Sequence, residues 1–154
     1  MSAAVRVREA RPGELEAVLD MYEWLFEPPG AVPPGWDREA AGARLAGAIS
    51  SDATAILVAE WEARLIGLCT TYLDLDSVRF GPRAWVEDLV TAPDQRSRGI
   101  GELLLGRAMD WARERGASHL ELDSGDARLD AHRFYERLKP SWAGRQFSWW
   151  LGDD

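Results

Sequence analysis

The sequence has a single cysteine, Cys69, and two histidines, His119 and His132. One thiol excludes an intrachain disulfide framework, and these side chains lack the spacing of a zinc ligand set. No metal is expected. No stretch approaches the ~18 consecutive apolar residues of a membrane span, and the opening Met1-Ser2-Ala3-Ala4-Val5-Arg6 lacks the apolar core of a secretion signal. A cytoplasmic location and no membrane partner are therefore expected. A basic surplus is also lacking: 18 Lys+Arg stand against 26 Asp+Glu, for a formal net charge of −8. That excess repels phosphate backbones, so no nucleic-acid partner is expected. It suits cationic amines or basic peptides, although solubility accounts for such a charge equally well.

What is present is enough for one core. With 154 residues, 46% hydrophobic and 29% charged, the chain reads as a single globular domain over 1–154. Val5, Val7 and Ala10 alternate with charged residues in an opening strand that stops at Arg11-Pro12-Gly13. Leu15, Val18, Leu19, Tyr22 and Leu25 then recur at helical spacing. Pro28 to Gly35 holds prolines and glycines that no helix accommodates, and Asp37 is placed to cap a second helix running through Ile49.

Residues 53–60 and 64–73 are two strand-like runs joined by Trp61-Glu62-Ala63, a hairpin, and 81–92 is a further strand stopped by Pro93. Ile100, Leu104, Ala108 and Trp111, flanked by Leu103 and Ala112, mark a helix over 100–115 with Gly116 just past its end. Residues 119–123 read as a strand, 130–138 as a short helix and 146–151 as a last strand. The order is β-α-α-β-β-β-α-β-α-β. This is an α/β arrangement, a mixed and mostly antiparallel sheet flanked by helices.

The junction at 93–102 has chemical content. After a strand and a proline turn, Arg96-Ser97-Arg98-Gly99-Ile100-Gly101-Glu102 runs into the long helix. The first N–H groups of a helix have no intrahelical partners and, with the helix dipole, favour an anion. Gly99 and Gly101 let the backbone approach phosphates closely, and Arg96 and Arg98 add positive charge. A Walker loop is excluded because Gly101-Glu102-Leu103 replaces Gly-Lys-Ser/Thr. A dinucleotide fingerprint is excluded because Leu104 stands where the third glycine belongs.

Arg96-x-x-Gly99-x-Gly101 resembles the Gln/Arg-x-x-Gly-x-Gly/Ala signature of GNAT-type N-acetyltransferases. The preceding Glu87-Asp88-Leu89-Val90-Thr91-Ala92-Pro93 is similar to that family's Glu-Asp-Leu-x-Val-x-Pro strand, with threonine in place of valine. Ala131-His132-Arg133-Phe134-Tyr135-Glu136 resembles its Ala-x-x-Phe-Tyr-Glu helix. Two positions depart from the pattern. Arg128 replaces a frequent asparagine, and Lys139-Pro140-Ser141-Trp142 replaces a Gly-Phe after the last helix.

The resemblance implies acetyl-CoA as co-substrate and direct acetyl transfer to a primary amine of a small molecule or peptide. It implies cofactor contacts from Arg96, Ser97, Arg98, Gly99, Ile100, Gly101 and Glu102, and main-chain contacts from Leu89, Val90 and Thr91. Those strand amides would also stabilise an oxyanion. The amine must lose a proton, and Glu87 is the first candidate base by position, with Asp88 second. Strand alternation would send these two carboxylates to opposite faces. Tyr135 matches the family's general acid for the departing thiolate.

Other residues admit plainer readings. Cys69, His119 and His132 read as structural side chains. Trp24, Trp36, Trp142, Trp149 and Trp150 could line an acceptor pocket or pack in the core or a dimer interface. A homodimer is frequent in the family. Two rival functions remain: a non-catalytic acyl-CoA-binding regulatory domain, which would need neither Glu87 nor Tyr135, and an acyltransferase for protein N-termini or longer acyl chains.

Overall fold

The computed structural model describes residues 4–152. Its elements follow as β1 (Arg6–Glu9), α1 (Leu15–Phe26), α2 (Arg38–Ile49), β2 (Thr54–Trp61), β3 (Arg64–Ser77), β4 (Gly81–Thr91), α3 (Ile100–Glu114), β5 (His119–Leu122) and α4 (Leu129–Arg137). Single 3-10 turns, each opened by a proline, precede α1 and α3. The chain divides into two compact units, one ending at Leu122 and one beginning at Asp123.

In the first unit the sheet order is β1-β2-β3-β4-β5, antiparallel up to β4 and parallel between β4 and β5. Alternation along β2 to β4 sorts the core by face. Ile56, Val58, Leu68 and Val90 cluster with Val18, Leu19 and Met21 of α1 and Leu45 of α2. The other face receives α3, whose Ile100, Leu104, Leu105, Ala108, Trp111 and Ala112 are buried. Leu103, which the periodicity places beside that stripe, is instead exposed.

Contact is tightest at Gly67 of β3. A Cβ there would lie 2.9 Å from Leu104 Cδ1 and 3.0 Å from Ile100 Cγ2, so a side-chain-free residue lets the first turn of α3 seat on the sheet. Helix ends are secured as the sequence indicates. The Asp37 carboxylate accepts the N–H of Glu39 at the start of α2. Past α3, left-handed Gly116 (φ 79°) donates to the Arg113 carbonyl while Ala117 donates to that of Ala112, closing the helix in a Schellman motif.

The hairpin between β2 and β3 turns through Glu62 (φ 51°) and Ala63 (φ 62°), with Trp61 opposite Arg64. Two successive left-handed residues are the geometry that matches the strand twist, and glycine or asparagine usually fills it. Arg8 holds the start of the sheet: its guanidinium donates to both Glu14 oxygens at 2.8 Å and to Glu60 at 2.6 and 3.0 Å.

The second unit contains α4 and the segment to residue 152. The strand expected at 146–151 is not formed: the segment is irregular, with Phe147, Trp149, Trp150 and Leu151 exposed. Its residues have strand propensity, but a strand exists only where a neighbouring edge supplies hydrogen bonds. Lys139 at the end of α4 is left-handed (φ 55°), a conformation that the glycine of the family pattern would take without strain. Among the described residues no helix is long and apolar enough to cross a membrane.

Candidate active site

The site is built where β4 changes partners. On one side β4 pairs with β3 along its length, to Gly67 opposite Thr91. On the other its ladder with β5 runs only from Arg83 opposite His119 to Val86 opposite Leu122. Among the described residues the ladder on that edge ends there, and β4 continues through Glu87 to Thr91. Strand backbone beyond a ladder end presents free donors and acceptors, which an extended ligand can take up.

At the same place β4 bulges. Thr71 lies opposite Val86 and Thr70 opposite Asp88, so Glu87 is an extra residue without a partner. This overturns the expectation that Glu87 and Asp88 face opposite ways. The Glu87 carboxylate accepts Trp85 Nε1–H at 2.9 Å and lies 3.5 Å from the Tyr72 hydroxyl. Asp88 Oδ2 accepts the Thr70 hydroxyl at 2.7 Å. Because Thr70 and Tyr72 are two residues apart on one strand, they share a face, and so do the two carboxylates.

Their surroundings differ. Glu87 is exposed, whereas Asp88 sits under α1, where the Tyr22 hydroxyl donates to Oδ2 at 2.7 Å. Burial raises the Asp88 pKa, and the hydrogen bonds from Tyr22 and Thr70 oppose that rise. Burial and the adjacent Asp88 charge raise the Tyr22 phenol. The Tyr72 phenol is pushed up to about 12 by burial and then by Glu87. Beyond Tyr22 an aromatic group continues: Phe26 and Trp36 lie edge to face at 4.9 Å, and Tyr22 is 6.1 Å from Trp36. Trp24 instead packs against the core of α1 and α2.

After Pro93 the chain reaches α3 through two left-handed residues, Ser97 (φ 65°) and Gly99 (φ 79°). Left-handed residues at alternate positions fold successive N–H groups into a concave run that favours an anion. Gly99 is the N-cap of α3 and supplies no side-chain cap, so the first amides, from Ile100, Gly101 and Glu102, have no intrahelical acceptor. A Cβ on Gly99 would meet nothing within 4 Å, so it is the positive φ that favours glycine there. The residues present fit a pyrophosphate: exposed turn, uncapped helix start, and the two arginines of the motif.

Arg98 is partly committed. Its guanidinium lies 4.8 Å from the centre of the Trp61 ring and donates to Gln95 Oε1. Arg64 grips Asp94 through two hydrogen bonds of 3.0 and 3.1 Å. The β2–β3 turn thus holds the turn before α3 from the side. Tyr135 lies half-buried on α4, its ring 5.2 Å from that of Phe134.

The residues set aside in the sequence have structural partners. Cys69 is fully buried, its thiol pushed up to about 12 by burial and then by Asp88, so it is no nucleophile at neutral pH. His132 Nε2 lies 2.9 Å from the Gly125 carbonyl, and His119 Nδ1 lies 2.8 Å from Ser118 Oγ. Among the described residues no cluster of His, Cys, Asp or Glu could hold a metal ion. Sequence reasoning missed Tyr22, Thr70 and Thr71. The available signal was a Thr-Thr pair inside an apolar strand, where buried hydroxyls require partners.

Residues 16–139 match the sequence model of the acetyltransferase (GNAT) family, and the chain belongs to that family of N-acetyltransferases. The uncharacterized N-acetyltransferase YhdJ of Bacillus subtilis is 49% identical over 59 residues, 38% of this chain and 42% of that one. Streptothricin acetyltransferase of Streptomyces lavendulae is 40% identical over 62 residues, 40% of this chain and 33% of that one. Each match therefore spans less than half of the relative. The fold matches that of aminoglycoside N-acetyltransferase AAC(6')-Iy, solved in complex with CoA, with a TM-score of 0.84 at 18% identity over 97% of this chain and 95% of that one.

Proposed function

We propose that the protein transfers the acetyl group of acetyl-CoA to a primary amine of a small molecule. The observation that carries this reading is the continuity of one element: β4 loses its β5 partner after Val86, bulges at Glu87, and leads into a turn that opens an uncapped helix. A ligand with an extended amide-bearing arm and a diphosphate has matching polarity along that whole path. The amides of 100–102 would hold the diphosphate, with Arg96 adding charge, and the main chain of Leu89, Val90 and Thr91 would pair with the arm. Bound acetyl-CoA supplies an activated acetyl thioester.

The rest falls to side chains of this chain. An alkyl ammonium with a pKa of about 10 must give up its proton before it can attack. Glu87 is exposed on the acceptor face, and its carboxylate is oriented by Trp85 Nε1–H, so it takes that proton at Oε1 or Oε2. Tyr135, which matches the family's general acid, would supply the proton that the departing thiolate needs. Arg38 bonds Glu16 at 2.8 Å and Asp20 at 2.7 Å and lies 3.8 Å from Glu23, one cation against three carboxylates of α1. Amine recognition rests on Glu87 and the rings of Tyr22, Phe26 and Trp36, which suit a cationic acceptor. The relatives named for streptothricin and aminoglycosides support a small-molecule amine. The exposed Phe147, Trp149 and Trp150 would be covered by a second copy in a homodimer.

Calorimetric titration with CoA and acetyl-CoA tests the donor, and thiol release across a panel of aminoglycosides, polyamines, amino acids and peptides tests the acceptor. Gly101→Phe should abolish the binding heat. No heat with either coenzyme on folded wild-type protein rejects the reading.

A further inference from the structure

An extra residue in one strand deprives its flanking backbone groups of their ladder partners, and buried groups of this kind must be satisfied elsewhere. At Glu87 two threonines do this. The Thr71 hydroxyl donates to the Trp85 carbonyl at 2.9 Å. The Asp88 N–H donates to Thr70 Oγ1 at 3.1 Å, and the same hydroxyl donates onward to Asp88 Oδ2 at 2.7 Å. Tyr22 adds a third hydroxyl from α1 to that oxygen, also at 2.7 Å. Thr70 and Thr71 are 5% and 0% exposed, in a strand otherwise lined by Ile66, Leu68 and Cys69. Valine would fill the same space, so what the two hydroxyls contribute there is hydrogen bonding to the bulge.

The bulge decides which way Glu87 faces. In a regular strand Glu87 and Asp88 would point apart, and a one-residue slip would invert every side chain that follows. We propose that Thr70, Thr71 and Tyr22 are positioning residues for acetyl transfer: their three hydroxyls lock the β4 bulge and thereby hold the Glu87 carboxylate on the acceptor face. This rests on the reading of Glu87 as the base. None of the three hydroxyls touches the reacting atoms; each hydroxyl acts through β4.

The test compares Thr71→Val with Thr71→Ser, and Thr70→Val with Thr70→Ser, on the full chain. Two readouts are taken: steady-state thiol release with an amine that the wild type acetylates, and amide hydrogen exchange of the peptide covering 84–91. The valine variants should lose roughly tenfold to a hundredfold in kcat, the scale of a misplacement near 1 Å. Their KM for acetyl-CoA should stay within about twofold, and the serine variants should recover most of the rate. Exchange over 84–91 should accelerate in the valine variants and not in the serine ones. Should a valine variant fail to fold, Tyr22→Phe makes the same comparison from the α1 side. Wild-type kcat in the valine variants, an equal loss in the serine variants, or unchanged exchange overturns the proposal while leaving the acetyltransferase reading intact. A wild-type protein that acetylates no amine removes the base assignment and this proposal together.

Discussion

At the residue scale, the proposed reaction separates into two proton transfers with different expected signatures. If Glu87 deprotonates the acceptor, Glu87→Gln should lower kcat/KM at pH 7 by roughly 10²–10⁴-fold. The deficit should shrink towards pH 10, where about half of the amine is already neutral in solution. A pH profile parallel to that of the wild type would remove Glu87 from the role. If Tyr135 protonates the departing sulfur, Tyr135→Phe should lower kcat by a similar factor while leaving the calorimetric CoA affinity within about threefold, because such a role is exercised in the transition state rather than the ground state. Asp88 is the less suitable base of the two. Its Oδ2 already accepts hydroxyls from Tyr22 and Thr70, and its place under α1 makes it an anchor for the bulge.

At the element scale, two backbone positions carry opposite expectations. The β2–β3 turn holds Ala63 at φ 62° without the glycine that such a turn favours. Ala63→Gly should therefore stabilise the protein by about 1 kcal/mol in chemical denaturation, since a left-handed non-glycine residue costs about 1–2 kcal/mol and added chain freedom offsets part of the gain. Gly67 is the reverse case. A methyl group there meets Leu104 and Ile100 at 2.9–3.0 Å, so Gly67→Ala should destabilise by about 1–3 kcal/mol and push out the helix start proposed to hold the diphosphate. The measurements are the denaturation midpoint together with CoA affinity, and weakening of both is expected. The stretch from Pro93 to Arg98 is tied to the β2–β3 turn through Asp94 and Arg98, which places the glycine turn against a braced hairpin.

At the scale of the whole molecule, acid stability should follow the Arg8 cluster. The Arg8 guanidinium beside Glu14 holds that carboxyl down at about 2, well under the usual glutamate range. Between about pH 2 and about 4.3 the unfolded chain binds a proton at this residue that the folded chain refuses, so stability rises with pH across that window. The contribution is complete above the ordinary glutamate pKa and lost as pH falls through the depressed one. A Tm series should show this slope in the wild type and a shallower one in Glu14→Gln. Equal slopes would show that the pairing has no role in acid unfolding. The exposed acidic groups around Arg38 should add little, because water and salt screen pairs at the surface.

Much of this protein was legible from its residues alone. Helical periodicity marked α1 and α3, Asp37 and Gly116 marked helix ends, and the glycines after the proline turn marked the uncapped start of α3, because these are local constraints carried by the residues concerned. Tertiary structure decided the rest. Whether 146–151 becomes a strand depends on a partner edge, which its own propensity does not provide. Whether Glu87 and Asp88 share a face depends on one residue of mismatch between two strands 14 or more positions apart, and on hydroxyls from Tyr22, Thr70 and Thr71 that close the gap. Periodicity describes a strand by itself. A bulge is a property of the pair.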